Sequence, residues 1–292
     1  MRILAIDTSS REVSVAILDG EKVVLELDSR QQGAADAPGS ARLAAGSTDS
    51  LPPGYVKKRS KRGAKTSRVF PPGASVLLAP MVKSLFEKAG QTIDQIQLIA
   101  VASGPGSFTG LRVGVVTAKA FAYSTSAKIL GVNTLELIAA KTADTFKTGA
   151  EQQPSPIRVV LNAQRQQLFC GTYMPGDSDW EVTGINDQPG DPAEGQTHSR
   201  IMDRDAFLAQ LSDGDIVTGA GLKPVVDSIR ANHPGVKIAS QSCWDSSAAD
   251  VGRLAWYQFQ QGKRSDLWDL QPFYFRPSTA EEVRAANLNE SR

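Results

Sequence analysis

Histidine and cysteine are almost missing from this sequence, which holds two of each in 292 residues. The histidines, His198 and His233, stand in polar or proline-adjacent stretches, so neither a His-x-x-x-His metal site nor a catalytic triad can be assembled. The cysteines, Cys170 and Cys243, make neither a disulfide framework nor a metal cluster; they fit packing positions in a reducing compartment. Long apolar runs are lacking as well. The longest, such as Leu98 to Ala102 and Val113 to Val116, fall far short of the roughly 20 residues a membrane helix needs. Met1 to Asp7 reads as a buried strand and not as a secretory leader, so the expected location is cytoplasmic. The carboxylates Asp7, Asp94, Asp250, Glu281 and Glu282 show no spacing that pairs them. No catalytic residue and no metal site is therefore assigned.

What is present is the composition of a globular protein, 41% hydrophobic and 22% charged, with a length that favours two modest domains. The net charge of +1 conceals an asymmetry. Between Arg30 and Gly73, nine Lys/Arg stand against Asp36 and Asp49, a net of +7 that leaves −6 for the rest. That stretch is rich in Gln, Gly, Ala, Ser and Pro, and residues 30–73 are expected to be a disordered basic insertion. Its seven Lys/Arg between Lys57 and Arg68 suit either a solvated loop or an RNA contact by counterion release.

Three strands are predicted before the insertion, at Ile3 to Asp7, Val13 to Leu18 and Lys22 to Leu27, forming an antiparallel meander. After it, Val76, Leu77, Leu78, Met81, Val82, Leu85 and Phe86 mark an amphipathic helix stopping at Ala89-Gly90. A buried strand, Gln97 to Ala102, runs into Ser103-Gly104-Pro105-Gly106-Ser107-Phe108-Thr109-Gly110, and a helix follows to about Ser124. A strand at Ile129 to Val132 and a helix at Thr134 to Thr145 complete the first half. The second half opens with a hairpin, Ile157 to Asn162 and Gln167 to Tyr173, and a polar stretch to Thr197. Helices at Arg204 to Leu211, Leu222 to Arg230 and Ala248 to Gln260 and a strand at Ile216 to Thr218 complete it. Two related α/β halves with mixed sheets are implied.

The glycine turn after a buried strand could present backbone N–H groups to an anion, with Ser107 or Thr109 as the helix N-cap. It matches neither the P-loop, since no Lys-Ser/Thr follows Gly110, nor the dinucleotide fingerprint, whose third interval differs. A tight turn needing small residues explains it equally. Asp7, Thr8, Ser9 and Ser10 at the end of the first strand could face a phosphate or Mg²⁺, or simply turn the chain. Gly110, Gly114, Ala118 and Ala122 lie four apart on one helix ridge. Glycine within a helix costs about 1 kcal/mol against alanine, so something packs close there, either the protein's own sheet or another helix.

Three segments, Met1 to Ser9, Ser103 to Gly114 and Pro272 to Pro277, together resemble the TsaB family, also called YeaZ, of bacterial tRNA threonylcarbamoyladenosine biosynthesis. The resemblance implies an actin-like (ASKHA) α/β fold of two RNase-H-like subdomains with mixed sheets flanked by helices. The expected organisation is 1–131 as a first subdomain carrying the partner interface, 132–282 as a second whose last helix packs back on the first, and 283–292 as a tail. It also implies a non-catalytic partner of a TsaD-type transferase, which modifies adenosine 37 of tRNA, with a TsaE-type ATPase and tRNA joining the complex and a homodimer when alone. The interface expected from it comprises Leu78, Met81, Val82, Leu85, Gly110, Arg112, Gly114, Ala118 and Ala122. Asp7, Thr8, Ser9, Gly104, Gly106 and Ser107 would be a vestigial nucleotide or anion site, with no cofactor of the chain's own and ATP bound only weakly or at the complex interface. Two departures stand out: Pro71 to Ser75 with the insertion before the first interface helix, and Asn162-Ala163-Gln164-Arg165 where the family commonly has Asp-Ala-Arg. The alternative is an independent actin-like kinase or ATPase.

Overall fold

The computed structural model describes residues 1–30, 73–146, 155–185 and 199–274; most of the basic segment, the polar stretch before Ser199 and the C-terminal tail lie outside them. In chain order the elements are β1 (Arg2–Asp7), β2 (Ser14–Asp19), β3 (Lys22–Asp28), α1 (Ala74–Ala89), β4 (Leu98–Gly104), α2 (Phe108–Thr125), β5 (Lys128–Asn133) and α3 (Thr134–Phe146). There follow β6 (Ile157–Asn162), β7 (Gln167–Pro175), β8 (Val182–Gly184), β9 (Ser199–Asp203), α4 (Arg204–Leu208), β10 (Ile216–Thr218), α5 (Val226–Asn232), β11 (Lys237–Ile238) and α6 (Ala248–Gln260).

The first sheet has the order β3-β2-β1-β4-β5, antiparallel through β1, β2 and β3 and parallel from β1 to β4 and β5. The second repeats it: β6 takes the place of β1, β7 pairs antiparallel with it and carries β8 and β9, and β10 and β11 continue in parallel on the other side. The two halves expected from the element order are thus one unit used twice.

Both faces of the first sheet are covered, which is why its strands read as continuous apolar runs. Side chains alternate across a strand, so Leu4 and Ile6 of β1 join Val15, Ile17, Ile99 and Val101 in a core with α1 and α2. Ile3 and Ala5 point the other way, to Ala16, Leu18, Leu98 and Ala100 and to Val251, Leu254 and Ala255 of α6. The alanines on that face let α6 sit close; a Cβ on Gly252 would lie 2.3 Å from Leu18 Cδ1. Although α6 follows the second sheet in sequence, it packs across β1, β2 and β4 of the first.

Local signals set most helix starts. Asn133 Oδ1 accepts from the N–H groups of Leu135 and Glu136 and opens α3. Ser247 and Asp250 form a capping box at α6. Two expectations need correction. The helix predicted from Leu222 begins as a tight turn, with Leu222 N–H bonded to Gly219 and Val225 N–H to Leu222, so the α-helix starts only at Val226. The strands β8, β9 and β11 were not expected, being two to five residues of mixed polarity that take strand form only by pairing with a neighbour. Among the described residues no helix is long and apolar enough to cross a membrane.

Tyr173 of β7 is buried against Leu135 and Ile138 of α3. Burial pushes its phenol well above the ordinary tyrosine value, in part offset by a hydrogen bond with Ser199. A raised folded-state pKa leaves stability intact below the unfolded value near 10 and removes it as pH climbs beyond. Urea midpoints compared at about pH 9 and about pH 11 are expected to fall further for the wild-type protein than for Tyr173→Phe.

Candidate functional site

The glycine turn lies where β4 ends against the β1–β2 connection. Gly104 has φ +118°, in the left-handed region that glycine alone enters freely, and a Cβ there would meet the Phe273 carbonyl at 2.9 Å. Ser107 donates its N–H to the Ser9 carbonyl at 2.6 Å, while its Oγ accepts from Gly110 N–H at 3.3 Å and caps α2. Thr8 Oγ1 donates to the Gly110 carbonyl at 2.8 Å. Cβ atoms added to Gly106, Gly110 and Gly114 would stand 2.2 Å from Ser9 O, 2.1 Å from Thr8 O and 2.2 Å from Thr8 Oγ1. Asp7 Oδ1 accepts from Ser9 N–H at 2.8 Å, and its Oδ2 accepts from the Ser246 hydroxyl at 2.5 Å. Asp7, Thr8 and Ser9 are all buried.

The residues singled out as an anion site are thus brought together, but as a packed joint. Ser107 N–H is spent on a protein carbonyl, and the space in front of Gly106 is filled by Ser9. Beside this joint Arg30, the first residue of the basic segment, forks onto Asp28 and donates to the Ser246 carbonyl at 3.2 Å. Its hydrogen bond with Asp28 holds the guanidinium pKa above its usual value.

The open question about the small-residue ridge is answered by the same contacts. Gly110 and Gly114 are small because Thr8 lies on them, and Ala118 and Ala122 are buried in the core between α2 and the first sheet. Leu78, Met81, Val82 and Leu85 of α1 belong to that core too, each at most 4% exposed. As surface contacts for a partner these eight are corrected: their side chains are already consumed within the chain. Arg112 alone of the expected interface residues is exposed.

The outer surface of α2 is made by residues that periodicity had left aside, while Val76, placed with the apolar set of α1, is 53% exposed. Phe108, Arg112, Val116 and Tyr123 form one stripe along α2, with Val116 67% and Tyr123 70% exposed. The segment after α6 runs along this stripe. Lys119 Nζ donates to the carbonyls of Trp268 and Leu270, Arg112 Nε donates to Tyr274 Oη at 2.9 Å, and the Arg112 guanidinium lies 4.0 Å above the Phe108 ring. Tyr274 packs on Phe108 and the exposed Trp268 meets Tyr123 edge-on. Apolar and aromatic side chains are thus gathered on one exposed face of α2 and the segment that follows α6. An aromatic and a β-branched residue repeating on the supposedly solvent side of α2 was the sequence signal for it; the contribution of Trp268 and Tyr274 had none.

Two RNase-H-like sheets of one topology, covered by helices on both faces, define an actin-like (ASKHA) α/β protein. YeaZ from Pseudomonas aeruginosa shares this fold at a TM-score of 0.61 and 18% identity, the match covering 94% of this chain and 99% of that one. The family profile described as "TsaD: tRNA N6-adenosine threonylcarbamoyltransferase" matches residues 73–188. The tRNA threonylcarbamoyladenosine biosynthesis protein TsaB of Bacillus subtilis is 28% identical over 173 residues, 59% of this chain. That of Escherichia coli is 24% identical over 206 residues, 70% of this chain and 80% of the relative. The chain spans about half, 55%, of the length of the Bacillus relative. In sequence and in fold the chain is thus similar to TsaB and YeaZ proteins.

The packed joint is testable by a double-mutant cycle. Gly114→Ala is expected to cost about 1–3 kcal/mol in urea unfolding, because its Cβ collides with Thr8 Oγ1. Most of that cost should vanish in a Thr8→Ala background, where that oxygen is absent. Gly110→Ala should not be rescued, since it meets the Thr8 backbone.

Proposed function

We propose that this chain is a non-catalytic subunit of the machinery that makes N6-threonylcarbamoyladenosine at position 37 of tRNA, and that it activates a TsaD-type transferase by docking to it. The names of its relatives support the pathway. One structural observation carries the docking: the inner sides of α1 and α2 are consumed by the core, while their outer side presents Val76, Phe108, Val116 and Tyr123. Burying such a surface on a partner is favourable at roughly 25 cal/mol per Å² of apolar area, and aromatic and arginine side chains are the usual anchors. Arg112, fixed between Phe108 and Tyr274, is pre-ordered for that use.

In this reading a TsaE-type ATPase and tRNA join through the complex, the protein works in the cytoplasm, and without its partner it pairs with a second copy of itself. It needs no cofactor of its own, and ATP binds weakly or only at the assembled interface. The alternative of an independent actin-like kinase or ATPase is disfavoured by the joint at Ser9 and Ser107, whose contact fills the place where a phosphate would lie against the turn.

Co-purification with the TsaD-type protein of the same organism tests the proposal. The wild-type chain is expected to form a stable complex, and Val116→Asp combined with Tyr123→Ala to weaken it by about 30-fold or more with an unchanged melting temperature. Absence of association by the wild-type protein, or retained affinity in the double variant, would sink it.

A further inference from the structure

On the edge of the first sheet away from the β1–β2 joint, a cavity of about 280 Å³ opens between the end of β5, the first turn of α3, the end of α6 and the segment that follows it. Ser103 at the end of β4 and Phe273 of the segment after α6 form part of its wall, and its charged and amide groups come from Asn133, Glu136, Gln258, Lys263 and Arg264. Its size lies just below the range of pockets for drug-sized ligands, so an occupant is small.

The lining is polar and unevenly satisfied. Gln258 is only 3% exposed, and its Nε2 donates to Glu136 Oε1 at 2.8 Å. Its Oε1 accepts from no group among the described residues and is open to the cavity. Asn133 uses its Oδ1 to cap α3, which leaves its amide N–H groups for another acceptor. Lys263 Nζ stands 3.4 Å from the same Glu136 oxygen. Arg264 is held by the carbonyls of Phe259 and Lys263 and by the Phe259 ring, a rigid cation at the rim. Two cations and one carboxylate therefore line the cavity, with an unused acceptor on Gln258 and unused donors on the amide of Asn133.

We propose that this cavity binds a small zwitterion of the α-amino-acid class. A carboxylate complements Lys263, Arg264 and the Asn133 amide, whereas an ammonium group complements Glu136 and the free oxygen of Gln258. A simple anion satisfies only the first set and is placed beside the Glu136 carboxylate and the Gln258 oxygen, two acceptors to which it offers no donor. The proposal does not rest on the docking partner, so the two succeed or fail separately.

Titration of the full chain with L-serine, L-threonine and L-glutamate, followed by amide chemical shifts, tests it. At least one of these probes is expected to give saturable shifts at Gly131, Asn133 and Ser265 with a dissociation constant in the range of about 0.1–5 mM, and acetate to bind about tenfold more weakly. Lys263→Met, at an exposed position that leaves the core intact, and Gln258→Leu should each weaken binding about tenfold. Lack of saturation by all three amino acids up to about 20 mM would overturn the proposal, as would unchanged binding by Lys263→Met. Equal binding of acetate, inorganic phosphate or AMP would overturn the zwitterion assignment.

Discussion

The approach of one backbone to another at Thr8 governs the arrangement of the first half of the molecule. The turn leaving β1 is laid directly on the first two turns of α2, with the Thr8 hydroxyl bonded to the Gly110 carbonyl and the Ser9 carbonyl bonded to Ser107 N–H. Such contact is open only to residues without a Cβ, and Gly106, Gly110 and Gly114 stand at the three places where a side chain would collide. Polar groups of a buried turn find partners on a helix terminus, and the helix obtains its cap, in one contact. The glycines that cost the helix intrinsic stability are offset by packing that no larger residue permits.

From that contact the orientation of α2 follows, and with it the division of its faces. The helix is held by its N-terminal turns against β1 and by Ala118 and Ala122 against the sheet, so the opposite side, from Phe108 to Tyr123, is turned to solvent. The segment beyond α6 then has a fixed surface to lie along, and Lys119 and Arg112 bind it by its carbonyls and by Tyr274. The exposed aromatic surface is accordingly a composite of residues 108–123 and 268–274, brought together by a helix that crosses from the second half of the chain to the first sheet. The groups of the glycine turn that could hold a phosphate are used instead to place α2 on the β1–β2 connection.

Much of the fold was legible in the sequence. The meander, the buried strand before the turn, the helix after it and the second hairpin are signalled by period-two and 3.6-residue patterns, and the structure has them within a residue or two. The duplication was legible from element order alone, because a meander followed by alternating helix and strand recurs at Ile157. The short edge strands and the tight turn before α5 were not, since their hydrogen bonds depend on a neighbour and not on local propensity.

The candidate site was half legible, and the division has a physical cause. By itself the sequence determined that residues 104–114 form a strand, a glycine turn and a capped helix with one side nearly bare, because left-handed backbone, capping and close approach each demand particular residue types. It could not determine what lies on the bare side. An amphipathic pattern says that a face is buried but not by what, so Leu78, Met81, Val82, Leu85, Ala118 and Ala122 read equally as core or as interface. Only the tertiary structure decided the matter, by placing Thr8 and the first sheet there and leaving Val116, Tyr123 and Trp268 to face outward. The sequence carries the need for contact; which contact is made depends on residues a hundred positions away.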